Sequence, residues 1–283
     1  MKWPLVVLQE DETTNPWVKF CRQRVRANDS LNIVCTGQTG TGKSWAMIGF
    51  AKQYNPNWSL DYCYFKASDF VKALEGGTFK PGDCIIYDEA GIDLNSAAWQ
   101  NELNQAINLI FQTMRHRRLI LIMTMPFMSF LQAKVRKLVT AHFKAQGYDK
   151  ETNSFVRPLL NEYNGDVDKF YRKRLMVRKG KRVSYCDVIK IPKADQELLE
   201  KYEAMKKQFT TDLYKQQRER LEVFEEKKKD TTLGSSKLTP KQVEVYSLLR
   251  MGKTLKEASE VIGCSPNNIQ QTKSALLRKG YQV

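Results

Sequence analysis

Nowhere in its 283 residues does the sequence hold an apolar run of about 18, the length a bilayer-spanning helix needs. The longest candidate, residues 119–130, is too short. The opening MKWPLVVLQEDETT has only a brief apolar stretch before its acids and does not read as a signal peptide. A cytoplasmic protein is the expectation. Cysteines are few and scattered (Cys21, Cys35, Cys63, Cys84, Cys186, Cys264), with no CxxC and only His116 and His142 to join them. That speaks against a structural zinc site or a disulfide framework. There is no internal repeat and no long low-complexity tract.

Acidic residues are missing from particular places. Residues 115–148 carry seven basic side chains and no acid, and 169–193 carry ten against Asp187 alone. Residues 1–114 and 194–230 are nearly balanced, so the overall +15 is concentrated in blocks, with a smaller excess after Lys237. Blocks of one sign beside neutral stretches suit a polyanion-binding surface, and solvated basic loops are the plainer alternative.

Short apolar runs alternate with helical patterns from residue 31 to 143. Strands are expected at 31–36, 62–66, 84–88, 119–124 and 139–143, with helices starting near Lys43, Ser68, Asn95 and Ser129. Such alternation predicts an α/β fold with a mainly parallel sheet. Residues 15–27 read as a short amphipathic helix. Residues 169–177 and 182–191 read as a basic β-hairpin around Gly180. A long helix follows over 194–229, its stripe Leu198, Tyr202, Met205, Phe209 and Leu213 lying either on the protein's own sheet, the favoured reading, or on another chain. Three short helices close the chain. Thr239 with Pro240 and Gln242, Thr254 with Glu257, and Ser265 with Pro266 mark their starts. The expected divisions are an N-terminal segment (1–29), an α/β domain (30–230), a linker (231–237) and an all-α tail (238–283).

The strongest motif is Gly37, Gln38, Thr39, Gly40, Thr41, Gly42, Lys43, Ser44, which matches GxxxxGK[ST] directly after a strand and at a helix start. Its backbone N–H groups and helix N-terminus suit the phosphates of ATP, Lys43 suits the β and γ phosphates, and Ser44 suits Mg2+. Asp88 and Glu89 end the third strand, Asp88 as the metal-side carboxylate and Glu89 as general base toward water. Arg115 is the first choice for a transition-state cation supplied to a neighbouring subunit, with Arg117 and Arg118 in reserve. All three could instead line a DNA channel or a solvent face. Thr124 is placed as a sensor of the γ phosphate, or simply ends its strand.

GQTGTGKS, IIYDEAG, QTMRHRRLILIMTMP and AKVRKL resemble the P-loop ATPases of the FtsK/HerA type, particularly the archaeal viral and plasmid ATPases labelled zonular-occludens-toxin-like. The resemblance covers roughly residues 30–210. It implies a RecA-like P-loop NTPase that works as an oligomeric motor, a hexamer being the expectation, on double-stranded DNA. Two features depart from the pattern: Met125 stands where that family usually carries glutamine, and the membrane helix of the filamentous-phage relatives is missing. The tail resembles the helix-turn-helix of LuxR-type and sigma region 4 proteins. Its expected core is Val243, Tyr246, Leu249, Ala258, Val261, Ile262, Ile269 and Leu276. Asn267, Asn268, Gln270, Gln271 and Lys273 would face base edges and the backbone in the major groove, with Arg278 and Lys279 toward phosphates. A protein-binding three-helix module is the alternative for the tail. In the hairpin, Arg172, Lys173 and Arg174 are expected to grip phosphates. The reading is therefore a Mg2+-dependent ATPase moving DNA, against an ATP-switched DNA-binding regulator and, more remotely, a nucleotide kinase.

Overall fold

The computed structural model describes residues 4–89, 97–149, 152–234, 238–278 and 281, without the side chains of 97–104, 114, 115, 216, 220 and 223–234. Two compact units meet in sequence between Phe209 and Thr210. In the first, chain order runs β1 (Leu5–Leu8), α1 (Pro16–Arg26), β2 (Leu31–Thr36), α2 (Lys43–Tyr54), β3 (Cys63–Tyr64), α3 (Ala67–Glu75), β4 (Cys84–Tyr87) and α4 (Ala97–Arg117). It continues with β5 (Ile120–Met125), α5 (Ala133–Arg136), β6 (Ala141–Tyr148), β7 (Asn153–Asn164), β8 (Lys169–Lys173), β9 (Leu175–Lys179), β10 (Arg182–Cys186), β11 (Ile189–Pro192) and the first part of α6 (Gln196–Gly234), a helix whose residues from Thr210 onward belong to the second unit.

The main sheet has the order β11-β7-β6-β2-β5-β4-β3, with β8 also on β7. Its β6-β2-β5-β4-β3 portion is parallel, and β7, β8 and β11 extend it antiparallel. Side chains of β2 alternate between two cores. Ile33 and Cys35 pack with Trp17 of α1, Phe50 of α2 and Tyr202 and Phe209 of α6, while Val34 packs with Phe70, Ile107 and Phe111 of α3 and α4. A strand apolar on both faces is what burial under helices on each side demands.

Several expectations move. Residues 62–66 yield only the two-residue β3, because a 3₁₀ turn over Leu60–Tyr62 and the start of α3 at Ala67 leave no room. The helix expected near Ser129 is a 3₁₀ turn at Met128–Phe130 followed by the four-residue α5. The run 169–177 is not one hairpin arm. It breaks at Arg174, with β8 pairing on β7 while β9 pairs with β10 around Gly180 and in parallel with β1. Leu175 and Val177 are buried whereas β8 is largely exposed, so the two halves belong to different sheets. Strand β7 was masked in the sequence by Pro158. That residue falls between the segments paired by β11 (153–156) and β8 (160–164), a break in the ladder that a residue without an N–H tolerates.

Helix α6 continues through residues 231–234, where a linker is expected, because neither glycine nor proline intervenes before Gly234. Of the expected stripe, Tyr202 and Phe209 are buried and Leu198 packs against the same core, while Leu199 is also buried and Met205 is exposed. Among the described residues no helix is long and apolar enough to cross a membrane.

In the second unit, α7 (Pro240–Arg250), α8 (Leu255–Ile262) and α9 (Pro266–Arg278) enclose a small core of Val245, Ala258, Ile269 and Leu276. Both capping boxes form, Thr239 with Gln242 and Thr254 with Glu257. Val243 and Val261, expected inside, are exposed. The inner stripes run instead through Val245, Leu248 and Leu249 and through Leu255, Ala258 and Ile262, which leaves the two valines on outer faces.

Candidate phosphate site

Strand β2 ends at Thr36 and α2 begins at Lys43, so Gly37–Gly42 form a loop at the carboxyl end of the sheet. Gly40 and Gly42 adopt φ of 81° and 74°, a left-handed backbone open to glycine at no steric cost. A Cβ at Gly42 would stand 2.9 Å from the Tyr148 ring, so the loop has no space for a larger residue there. Lys43 Nζ donates to the carbonyls of Gly37 and Gln38 at 2.8 and 2.9 Å, lying folded over its own loop. Burial holds the Lys43 ammonium below its usual range, an effect that Asp88 and Glu89 oppose and Lys206 reinforces.

Strand β5 lies between β2 and β4 and aligns three polar side chains at the strand ends. Asp88 is completely buried. Ser44 Oγ donates to its Oδ1 and Oδ2 at 2.9 and 3.1 Å, and Thr124 Oγ1 also donates to Oδ1. The backbone N–H of Glu89 donates to Thr124 Oγ1 at 2.9 Å. This bond fixes Glu89 at a φ of 52°, a conformation of order 1–3 kcal/mol above the usual ones for a residue with a side chain. Buried charge requires such a shell of donors, and here the shell is built from the three strand-end motifs.

Two further members come from α6. Tyr202 OH donates to Asp88 Oδ2 at 2.5 Å, and burial together with Asp88 pushes its phenol far above the usual range. Lys206 Nζ pairs with Glu89 Oε1 at 2.5 Å and stands 3.8 Å from Asp88 Oδ2. Burial alone would depress the Lys206 ammonium, but Asp88 and Glu89 outweigh it and hold it above the usual range. Sequence reasoning noticed Tyr202 only as packing and missed Lys206. The available signal was helical phase: Leu199, Tyr202, Lys206 and Phe209 recur at intervals of three and four, which places one charge inside an apolar stripe.

Hard oxygen donors close together, Ser44 Oγ and the Asp88 carboxylate, have the chemistry to hold a divalent metal ion. Among the described residues no group of three or more His, Cys, Asp or Glu gathers to hold a metal.

Other expected residues lie apart. Residues 115–118 join the end of α4 to the start of β5, at the amino ends of the strands; a six-residue strand puts them about 20 Å from the phosphate loop. The Arg115 side chain lies outside the described residues. Arg117 Nη1 donates to the Leu74 carbonyl at 2.8 Å, and Arg118 is exposed. Lys173 is ion-paired with Glu162, and Arg174 pairs with Asp187 at 2.8 Å while lying over the Tyr185 ring. Both are thus partly satisfied within the chain, which sequence did not foresee. Arg172 is exposed with no ion pair among the described residues, as are Arg178 and Arg182 of the β9–β10 hairpin. In α9, Asn267, Asn268, Gln270 and Gln271 are exposed and Lys273 is half-buried; Lys279 lies outside the described residues. Met125 is buried in the core under α3 and α4.

A glycine-rich loop between a central parallel strand and a helix, with a buried carboxylate two strands away, is the architecture of P-loop NTPases. No protein-family model matches the chain, and no curated protein matches it in sequence. Among solved structures, it is similar to the N-terminal domain of zonular occludens toxin from Neisseria meningitidis (15% identity, TM-score 0.32, 46% of this chain and 83% of that one). It is also similar to the genome packaging NTPase B204 of Sulfolobus turreted icosahedral virus 2 (14%, TM-score 0.30, 54% and 99%). A third is a KaiC-like protein of Pyrococcus horikoshii (12%, TM-score 0.27, 51% and 89%).

Proposed function

We propose that the chain is a Mg2+-dependent ATPase that acts on double-stranded DNA, with its tail serving as a helix-turn-helix. The observation that carries the ATPase reading is the buried Asp88, bonded to Ser44 of the phosphate loop and Thr124 of β5, with Glu89 beside it. The loop amides and Lys43 bind the phosphates, Lys43 leaving the Gly37 and Gln38 carbonyls to do so. Ser44 and Asp88 hold Mg2+, which when bound screens phosphate charge. Glu89 accepts a proton from water as the new P–O bond forms at the γ phosphorus and the bond to the β–γ bridging oxygen breaks, releasing ADP. Thr124 links the Asp88 carboxylate to the backbone N–H of Glu89, so it couples the state of the one to the position of the other residue.

Basic blocks with one acid or none support a grip on the DNA backbone, and exposed amides on α9 support base reading. Because residues 115–118 stand at the far end of the sheet, an arginine among them reaches a phosphate site only across a subunit interface, which fits a ring, a hexamer being the reading adopted here. The alternative, an ATP-switched regulator, is favoured by one observation: Met125 is buried where a polar residue would extend the sensor toward DNA-linked motion. Steady-state ATP hydrolysis with and without duplex DNA decides between them. A motor is stimulated severalfold or more; a switch shows the same rate in both.

A further inference from the structure

The site contains a cation that the phosphate-loop chemistry does not account for. Lys206 reaches in from α6 and lies against both carboxylates, 2.5 Å from Glu89 Oε1 and 3.8 Å from Asp88 Oδ2. Its side chain is about one-quarter exposed, so it is neither a solvated surface lysine nor a sealed core charge. Tyr202, one turn earlier on the same face, bonds Asp88, and Phe65 stacks on Tyr202 and Phe209 at 5.9 and 5.2 Å, fixing this part of α6 against the strand ends. The backbone that presents Lys206 is thus firmly seated, while the lysine's four-carbon stem retains freedom to swing.

Position and charge then constrain its role. On the ATP-site reading, Lys43 and Ser44 hold the γ phosphate beside Asp88 and Glu89, and the Lys206 ammonium stands against those same two carboxylates. The arginines of 117–118 are about a strand's length away and cannot serve this site within their own subunit. While Lys206 is paired with Glu89, one carboxylate oxygen is engaged and the adjacent positive charge makes the group a poorer acceptor of a water proton.

We propose that Lys206 is the γ-phosphate cation supplied in cis: it holds Glu89 until a triphosphate is present, then transfers to the γ-phosphate oxygens and leaves Glu89 open to water. The inference rests on the ATP-site reading above. A diphosphate lacks those oxygens, so Lys206 remains on Glu89 when ADP is bound. Lys206 therefore supplies both a preference for triphosphate over diphosphate and a condition on the general base, with no bond of its own made or broken.

The test uses the full chain with Mg2+, measuring affinities for ADP and for the nonhydrolysable analogue AMP-PNP by titration calorimetry, and ATP hydrolysis in a single turnover. Wild type should prefer AMP-PNP by tenfold or more. Lys206→Met should lose that preference while keeping ADP affinity within about twofold, and its single-turnover rate should fall of the order of 10²-fold; Lys206→Arg should retain much of both. Unchanged preference and turnover in Lys206→Met, or faster hydrolysis, would overturn the proposal while leaving the ATP site intact. If Lys206→Met binds no ADP, Lys206→Arg decides: retained preference supports the role and lost preference overturns it. A folded wild type that binds neither nucleotide removes the phosphate-site reading itself, and the role of Lys206 with it.

Discussion

The phosphate end of the α/β unit and the three-helix tail use polar side chains in opposite ways. In the α/β unit the decisive polar groups are buried and long-range: Asp88 is bonded by Ser44, Thr124 and Tyr202, residues drawn from three other elements and up to 114 positions away. In the tail they are local and exposed, with Thr239 and Thr254 bonding groups three residues ahead and the amides of α9 open to solvent. A buried network ties chemistry to the integrity of the whole fold. Local caps let a small module stand on its own signals, and its core of four fully buried side chains contributes correspondingly little. Loss of one bond should therefore cost the two regions very differently.

The largest expected contrast comes from removing residues 235–283. ATP hydrolysis and salt-sensitive binding to random duplex should persist in the remaining chain, while discrimination between a selected site and random DNA, typically about 10³-fold or more, should vanish. Binding isotherms at several salt concentrations measure both. A truncated chain with no DNA affinity at any salt would make the tail the sole DNA-binding element.

Next in size is an acid sensitivity confined to the α/β unit. His142 on β6 lies 2.7 Å from Thr36 Oγ1, and burial, with Arg172 and Lys144 adding, lowers its pKa to about 4. The folded state thus prefers the neutral ring. Above about pH 6.5 both folded and unfolded chains carry neutral histidine; as pH falls from there toward 4, the unfolded chain alone gains the proton, and stability declines by about 2 kcal/mol after allowance for partial exposure. His142→Gln should flatten this decline in urea melts at pH 7 and pH 4.5, and an unaltered slope would assign it elsewhere. The smallest effect belongs to the tail: Thr254→Ala should destabilise the three-helix unit by about 1 kcal/mol through loss of the cap, with ATP hydrolysis unchanged. Thermal melts read beside turnover rates separate the two.

Where a signal was local, sequence alone sufficed. The loop at Gly37–Ser44, the strand end at Asp88 and the caps at Thr239 and Thr254 each rest on residues within eight positions of one another. Where it depended on distant partners, sequence fell short. Strand β1 appeared as a stray apolar stretch because its partner β9 lies about 170 residues on. The break at Arg174 was invisible because β8 and β9 share a basic composition but pair with different neighbours. Lys206 escaped notice because a lysine on a long polar helix signals a site only once the helix phase is known. Between the correctly placed Tyr202 and Phe209, the choice of Met205 as the inward residue is what hid Lys206.

The division of labour between Lys43 and Glu89 can be measured in one paired experiment. Equilibrium ATP binding and single-turnover hydrolysis should show that Lys43→Ala loses binding and turnover together, whereas Glu89→Gln binds ATP within a few-fold of wild type and hydrolyses it at least 10²-fold more slowly. Normal hydrolysis by Glu89→Gln, or undiminished binding by Lys43→Ala, would contradict the assignment of this strand-end cluster as an ATP-hydrolysing site.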